Sequence, residues 1–210
     1  VKPRDGNQGK GVTTNVVTED HLAIAVRAAL EYSDDLLVER FVPGHDHRLL
    51  VVGDKLVAAA RREPPHLIGD GVLTVRQLVD RVNADPRRGD GHATSLTKIR
   101  FDEIAHARLR IQGYEADSVP PQGARVILRN NANLSTGGTA TDVTDEVHPE
   151  LARRAVEAAQ MVGLDICGVD VVCESVDQPL EAQSGGIVEV NAAPGLRMHL
   201  QPSYGIGRDV

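Results

Sequence analysis

The stretch Ile166-Cys-Gly-Val-Asp170-Val-Val-Cys173, followed after twelve residues by Gly186-Ile-Val-Glu189-Val-Asn191, decides the architecture. Both runs are short and rich in Val and Ile, and the segment between them is polar, so they read as two strands of an antiparallel hairpin. Side chains alternate along a strand, which puts Glu189 and Asn191 on one face. Asp170, on the preceding strand, can be brought alongside them. Two carboxylates and an amide oxygen on one face make a hard oxygen site suited to Mg²⁺. The same spacing also fits the solvent face of an edge hairpin, and periodicity alone leaves both readings open. An inward-facing Glu189 among Ile187, Val188 and Val190 needs a partner to offset its desolvation.

Working outward, Pro149 to Val162 has helical spacing, with Leu151, Ala155, Ala158, Ala159 and Val162 on one face and Gly163 closing it. Ala124 to Leu128 is expected as a strand on which the main sheet resumes. Thr18 caps an earlier helix, with Glu19 and Asp20 in its first turn where the dipole favours acids. Leu36 to Val42, Arg48 to Val52 and Lys55 to Ala60 read as strands. Between Glu63 and Gly123 the texture changes to Pro- and Gly-rich segments around two short helices, Thr74 to Ala84 and Asp102 to Gln112. This reads as a lid or insertion. The expected fold class is α+β, a mostly antiparallel sheet with helices on one face. The expected divisions are 1–62, 63–123 and 124–210.

Composition narrows the function. The net charge of −7 disfavours a nucleic-acid partner, and 2% aromatic content with no Trp removes the stacking platforms that single strands require. No apolar stretch approaches the roughly 18–20 residues of a membrane span. A strand from Ile166 to Cys173 sets Cys167 and Cys173 about 20 Å apart at ~3.3 Å per residue, too far for a mutual disulfide. Two reduced thiols in a cytoplasmic protein are expected. The opening Val1-Lys2-Pro3 reads as a strand end, so the chain is expected to be a piece of a longer one.

Three further segments carry chemistry. Gly6-Asn-Gln-Gly9-Lys10-Gly11, after Lys2, combines glycines that admit close phosphate approach with lysine counter-charge. It also fits a plain Gly-rich hairpin turn. It is not a Walker A loop, because Lys10 is followed by Gly11 and Arg4 stands where the first Gly belongs. Val38-Glu39-Arg-Phe-Val42-Pro-Gly-His-Asp46-His-Arg48 is a strand running into Pro-Gly, whose acids suit a nucleoside. Its His45 and His47 lack a third ligand at zinc-like spacing and read as a solvated pair. Arg129-Asn-Asn131-Ala-Asn133-Leu-Ser-Thr-Gly-Gly138 offers one cation and several amides to an anionic ligand, or forms a polar turn.

The order of these features resembles the ATP-grasp fold. The match to D-alanine:D-alanine ligases runs through Val1-Lys-Pro3, Val38-Glu39, Gly44, Asp46, Asp170 and Glu189-Val-Asn191. The chain is more similar still to the cyanophycin synthetase family, through Gly89-Asp-Gly-His-Ala-Thr94, Leu134-Ser-Thr-Gly-Gly138 and Asn191-Ala-Ala-Pro-Gly-Leu-Arg-Met-His199. The resemblance covers nearly the whole chain. It implies ATP and Mg²⁺ as cofactors, L-aspartate and a cyanophycin primer as partners, and a homo-oligomer of the full-length parent. It implies phosphate contacts from Lys2, Gly9, Lys10 and Gly11, adenine contacts from Glu39 and Val42, and a ribose contact from Asp46. Asp170, Glu189 and Asn191 are implied as Mg²⁺ ligands. Arg48, Arg129, Asn131, Asn133 and Arg197 are implied to line the acyl-phosphate and substrate site. The reaction implied is phosphorylation of a C-terminal carboxylate followed by attack of an amine. The family's N-terminal ATP-grasp subdomain, with a further phosphate-contacting lysine, is expected to lie upstream of Val1.

Overall fold

The computed structural model describes residues 1–5, 10–91 and 94–210. The chain divides into two compact units, Val1–Val42 and Pro43–Val210.

In the first unit β1 (Lys2–Pro3) pairs antiparallel with β2 (Leu36–Leu37), and α1 (Glu19–Leu30) packs on both. Thr18 caps α1 by accepting from the His21 N–H at 3.2 Å, and Ala25 and Ala29 are buried. The strand expected over 36–42 is limited to Leu36–Leu37. Pro3, opposite Leu36, has no N–H with which to lengthen the ladder.

The second unit is built on β3 (His45–Val52), β4 (Lys55–Glu63), β9 (Thr139–Asp142), β10 (Ile166–Cys173) and β11 (Gly186–Ala192). They form an antiparallel sheet in the order β11-β10-β3-β4-β9. The helix α4 (Pro149–Val162) begins with Pro at its first position, where a missing N–H costs nothing, and ends on Gly163 at φ 76°. Its Leu151, Ala155 and Ala159 pack on Leu49, Val51, Ala59, Cys167, Val169, Val171 and Cys173, all buried on one face of the sheet. Each fully buried Leu or Val contributes roughly 1.5–3 kcal/mol of apolar transfer, so this face supplies the main cohesion. Both cysteines are free and sit within it.

Between β4 and β9 the chain forms a second core. The strands β5 (His66–Ile68) and β8 (Arg125–Ile127) pair antiparallel, and the pairs β6 (Arg88–Gly89) and β7 (Leu96–Thr97) run parallel. Two helices, α2 (Val75–Asn83) and α3 (Glu103–Ile111), pack beside β5 and β8 respectively. Thr74 and Gln77 close a capping box on α2, and Asp102 caps α3. Leu67, Leu78, Val79, Leu109, Val126 and Leu128 are buried together there. The strand expected over 124–128 therefore does not resume the main sheet. Its neighbour is β5, and the main sheet resumes one segment later with β9. Thr139-Ala-Thr-Asp142 buries only Ala140, too short and polar a run to read as a strand.

Candidate functional site

The sheet face opposite α4 carries the charged residues beside buried Leu50, Ala58 and Ala60, and register places several of its charges in one line. Glu189 faces Asp170, Asp170 faces Arg48, Arg48 faces Ala60 and Ala60 faces Asp142, across all five strands. Directly opposed residues share a face, so this row presents its side chains on one side. Asp46 and Arg62 oppose each other in the neighbouring row.

Asp170, 9% exposed, is the centre of the constellation. Arg48 donates to it through both Nε and Nη2, the latter at 3.2 Å, and Arg62 Nη2 lies 3.1 Å from its Oδ2. Asn191 Nδ2 donates to Asp170 Oδ2 and to the Gly168 carbonyl, each at 3.4 Å. Arg62 Nε also donates to Asp46 Oδ1 at 2.7 Å. Burial by itself would lower the Arg62 guanidinium's pKa, but Asp46 and Asp170 together raise it above its ordinary value. The two guanidiniums thus offset the desolvation of Asp170 that an isolated buried carboxylate would suffer.

Gly168 makes room for Arg48. A Cβ there would come within 2.7 Å of Arg48 Cδ and 3.0 Å of Pro194 Cβ. Gly44, at φ 127°, lies against the Cys173 backbone so closely that any side chain would collide.

Whether a hard cation fits is decided by the donors. Asp170 and Glu189 are register partners, and Glu189 is exposed at the sheet edge. Asn191 uses its Nδ2, leaving Oδ1 without a partner among the described residues. The donor types suit Mg²⁺. Among the described residues no three His, Cys, Asp or Glu side chains group for metal binding, so an ion here needs the Asn191 oxygen and oxygens of its own ligands.

The remaining expected residues have definite partners. Lys2 Nζ pairs with Glu39 Oε2 at 2.8 Å in the first unit. Lys10 is exposed, Val42 is half-buried, and Gly11 sits at φ 68° with no room for a Cβ beside Tyr32. Gly9, with the rest of Gly6–Gly9, and His92-Ala93 lie outside the described residues. Arg129, 5% exposed, donates to Asp102 Oδ2 at 2.6 Å. Asn131 Oδ1 accepts from Thr136 Oγ1 at 2.9 Å, and the Asn133 carbonyl accepts from the Gly138 N–H at 3.2 Å, folding the loop around Gly137. Arg197, on the short helix α5 (Arg197–Leu200), donates to the Thr94 carbonyl and Thr97 Oγ1. The solvated histidine pair is corrected in one member. His47 is 2% exposed, its Nδ1 is 3.5 Å from Cys173 Sγ, and burial lowers its pKa to about 4. It occupies the α4 side of β3, where alternation turns it inward.

Arg62, Asp142 and His199 were not singled out by sequence reasoning. Arg62 was legible in principle, because Ala58, Ala60 and Arg62 alternate onto one face of β4. Asp142 lies on the unrecognised β9, where Arg208 grips it through Nε at 3.1 Å and Nη2 at 2.6 Å.

Sheet, helix and insertion form an ATP-grasp fold. A bifunctional glutathione synthetase from Pasteurella multocida has a crystal structure that superposes with a TM-score of 0.69 at 36% identity, covering 99% of this chain and 28% of that one. Residues 124–207 match the RimK-like ATP-grasp domain. In sequence the chain is similar to the cyanophycin synthetase of Nostoc sp., 49% identical over all 210 residues, and to that of Synechocystis sp., 50% identical over 212. It is 36% identical to the glutathione biosynthesis bifunctional protein of Clostridium perfringens over 99% of its length. The chain spans about a quarter of the length of these relatives, 23%, 24% and 27% respectively.

Proposed function

We propose that this chain is the metal- and nucleotide-handling part of an ATP-dependent carboxylate–amine ligase that adds L-aspartate to the C-terminus of a cyanophycin backbone. The observation that carries the ligase reading is the row Glu189–Asp170–Arg48 with Asn191 beside it, oxygen donors of the type Mg²⁺ takes bordered by a guanidinium. The preference for aspartate rests on the 49–50% identity to the cyanophycin synthetases of Nostoc and Synechocystis, against 36–38% to the glutathione-forming relatives.

In this reading Asp170, Glu189 and Asn191 hold Mg²⁺, which when bound neutralises charge on phosphate oxygens. Arg48 and Arg129 receive the charge that develops on a carboxylate during phosphoryl transfer, and Arg197 holds a substrate carboxylate. Lys2, Gly9, Lys10 and Gly11 are assigned to phosphates, Glu39 and Val42 to adenine, and Asp46 to ribose. Asn131 and Asn133 shape the loop that meets the acyl phosphate. The segment between β4 and β9 serves as the lid. Because such chemistry needs mainly positioning and charge neutralisation, no nucleophile triad is required. The site is cytoplasmic in this reading, and no described helix is long and apolar enough to cross a membrane.

The glutathione-forming relatives supply the second reading. Incubation of the full-length protein with ATP, Mg²⁺ and a cyanophycin primer separates them. Aspartate should drive ADP release and lengthen the primer, whereas glutamate and D-alanine should not. Glutathione formation in a parallel incubation with ATP, Mg²⁺, γ-glutamylcysteine and glycine, without primer extension by aspartate, would replace the aspartate assignment and leave the ATP-grasp site standing.

A further inference from the structure

A cavity of about 270 Å³ lies within the unit Pro43–Val210, at the root of the insertion. Its walls include the two connections that join the insertion to the main sheet, Glu63-Pro-Pro65 on entry and Gly137 to Thr139 on return. Residues of β5 and α2, with Arg88 and Tyr204, complete it. Glu63 and Thr139 are register partners on β4 and β9. Along those strands they alternate with Arg62 and Ala140, and Arg62 is the one that reaches Asp170. Alternation therefore turns Glu63 and Thr139 away from the charged row, to the other face of the sheet.

The lining is apolar with a few charged groups, the composition of a small-ligand pocket, and the volume sits at the small end of such pockets. Leu67 and Leu78 are buried in it, with Pro65 and Val82 beside them. No hydrogen bond of the Glu63 carboxylate is found among the described residues, and Arg125 and Arg61 come no closer than 3.7 and 4.0 Å. Arg88 Nη1 donates to the Thr97 and Gly137 carbonyls at 2.6 and 3.2 Å, while Nε and Nη2 make no hydrogen bond among the described residues. Burial holds the Arg88 pKa below its ordinary value although Asp85 acts to raise it, so a further anion would be welcome there. Arg81, by contrast, is spent on Asp70 at 2.7 Å. These charges select the ligand. A simple anion is repelled by Glu63 and a simple cation by Arg88, whereas a molecule bearing both charges is attracted by each. The apolar walls ask for an aliphatic stem.

We propose that this cavity binds a free α-amino acid with an aliphatic side chain, its ammonium on Glu63 and its carboxylate on Arg88. The site is distinct from the cation site proposed above, and it stands whether or not the ligase reading does. A ligand held there touches both connections of the insertion and so ties the insertion to the sheet.

The test titrates the full-length protein with L-leucine by calorimetry and locates the site by amide hydrogen exchange. L-Leucine should slow exchange in peptides covering 63–68, 78–88 and 137–139. Glu63→Gln should weaken its binding roughly tenfold or more, the weight of one charged hydrogen bond. On the wild-type protein 4-methylpentanoate, which lacks the ammonium, and 3-methylbutylamine, which lacks the carboxylate, should each bind at least as much more weakly. Absence of binding heat, or protection confined to peptides around Asp170 and Glu189, would overturn the proposal. So would displacement of L-leucine by ATP, Mg²⁺ and L-aspartate, which would make it a ligand of the charged face. Either single-charge analogue binding as tightly as L-leucine would overturn the zwitterion assignment, and this comparison decides should Glu63→Gln fail to fold. Amide formation is assayed separately, so that a failed ligase reading is told apart from a failed cavity site.

Discussion

Gly168 and Arg48 are fitted to one another across β10 and β3: a single added methyl on the glycine would lie 2.7 Å from the arginine Cδ and 2.9 Å from its Nη1. The missing side chain leaves the space that the Arg48 side chain occupies on its way to Asp170. In Gly168→Ala the flexible arginine gives way before the backbone does. Calorimetry should show a modest loss of stability, about 1–2 kcal/mol. ATP turnover by the full-length protein should fall more than tenfold. Turnover equal to wild type would show that the Arg48–Asp170 alignment is not used.

Glu189 is exposed on the edge strand, and no hydrogen bond of its side chain is found among the described residues. Its replacement should cost the fold little. Glu189→Gln is expected to keep the wild-type melting temperature within a degree or two. It should weaken Mn²⁺ binding, read by electron paramagnetic resonance, and abolish ligation. Unimpaired Mn²⁺ binding would remove Glu189 from the metal site.

Arg129 is buried against Asp102, the cap of α3, so it holds structure whatever else it does. Arg129→Ala and Asp102→Ala should each destabilise the insertion by about 1–2 kcal/mol, the usual range for a lost cap or a charged hydrogen bond. Their activities should part. On the proposed assignment only the arginine variant loses a counter-charge to the transition state, so only it should lose turnover by orders of magnitude. Equal activity losses would make Arg129 a scaffold residue.

His47 and His199 are both held neutral, their pKa values lowered to about 4 from an ordinary value near 6.5. Between those values the unfolded chain binds protons that the folded one refuses. Stability is therefore full above pH 6.5 and falls as pH drops towards 4. At ~1.4 kcal/mol per unit the ceiling is roughly 3 kcal/mol for each histidine. Urea melts from pH 7.5 to 4 should show this slope, and His199→Gln should flatten it. A slope unchanged in that variant would place the acid sensitivity elsewhere.

Much was decided locally and could be read from the chain. The helices α2, α3 and α4, with caps at Thr74, Asp102 and Gly163, follow from periodicity and end signals within a dozen residues. The same holds for the β10–β11 hairpin, which brings Asp170, Glu189 and Asn191 together because register and alternation act at short range. Other features were settled only by pairing between distant segments. That β8 joins β5, that Arg62 answers both Asp46 and Asp170, and that His47 turns to the α4 face all depend on which strands become neighbours. A strand's own sequence encodes alternation but not its partner, and charges 122 residues apart, such as Arg48 and Asp170, meet only when the sheet has closed.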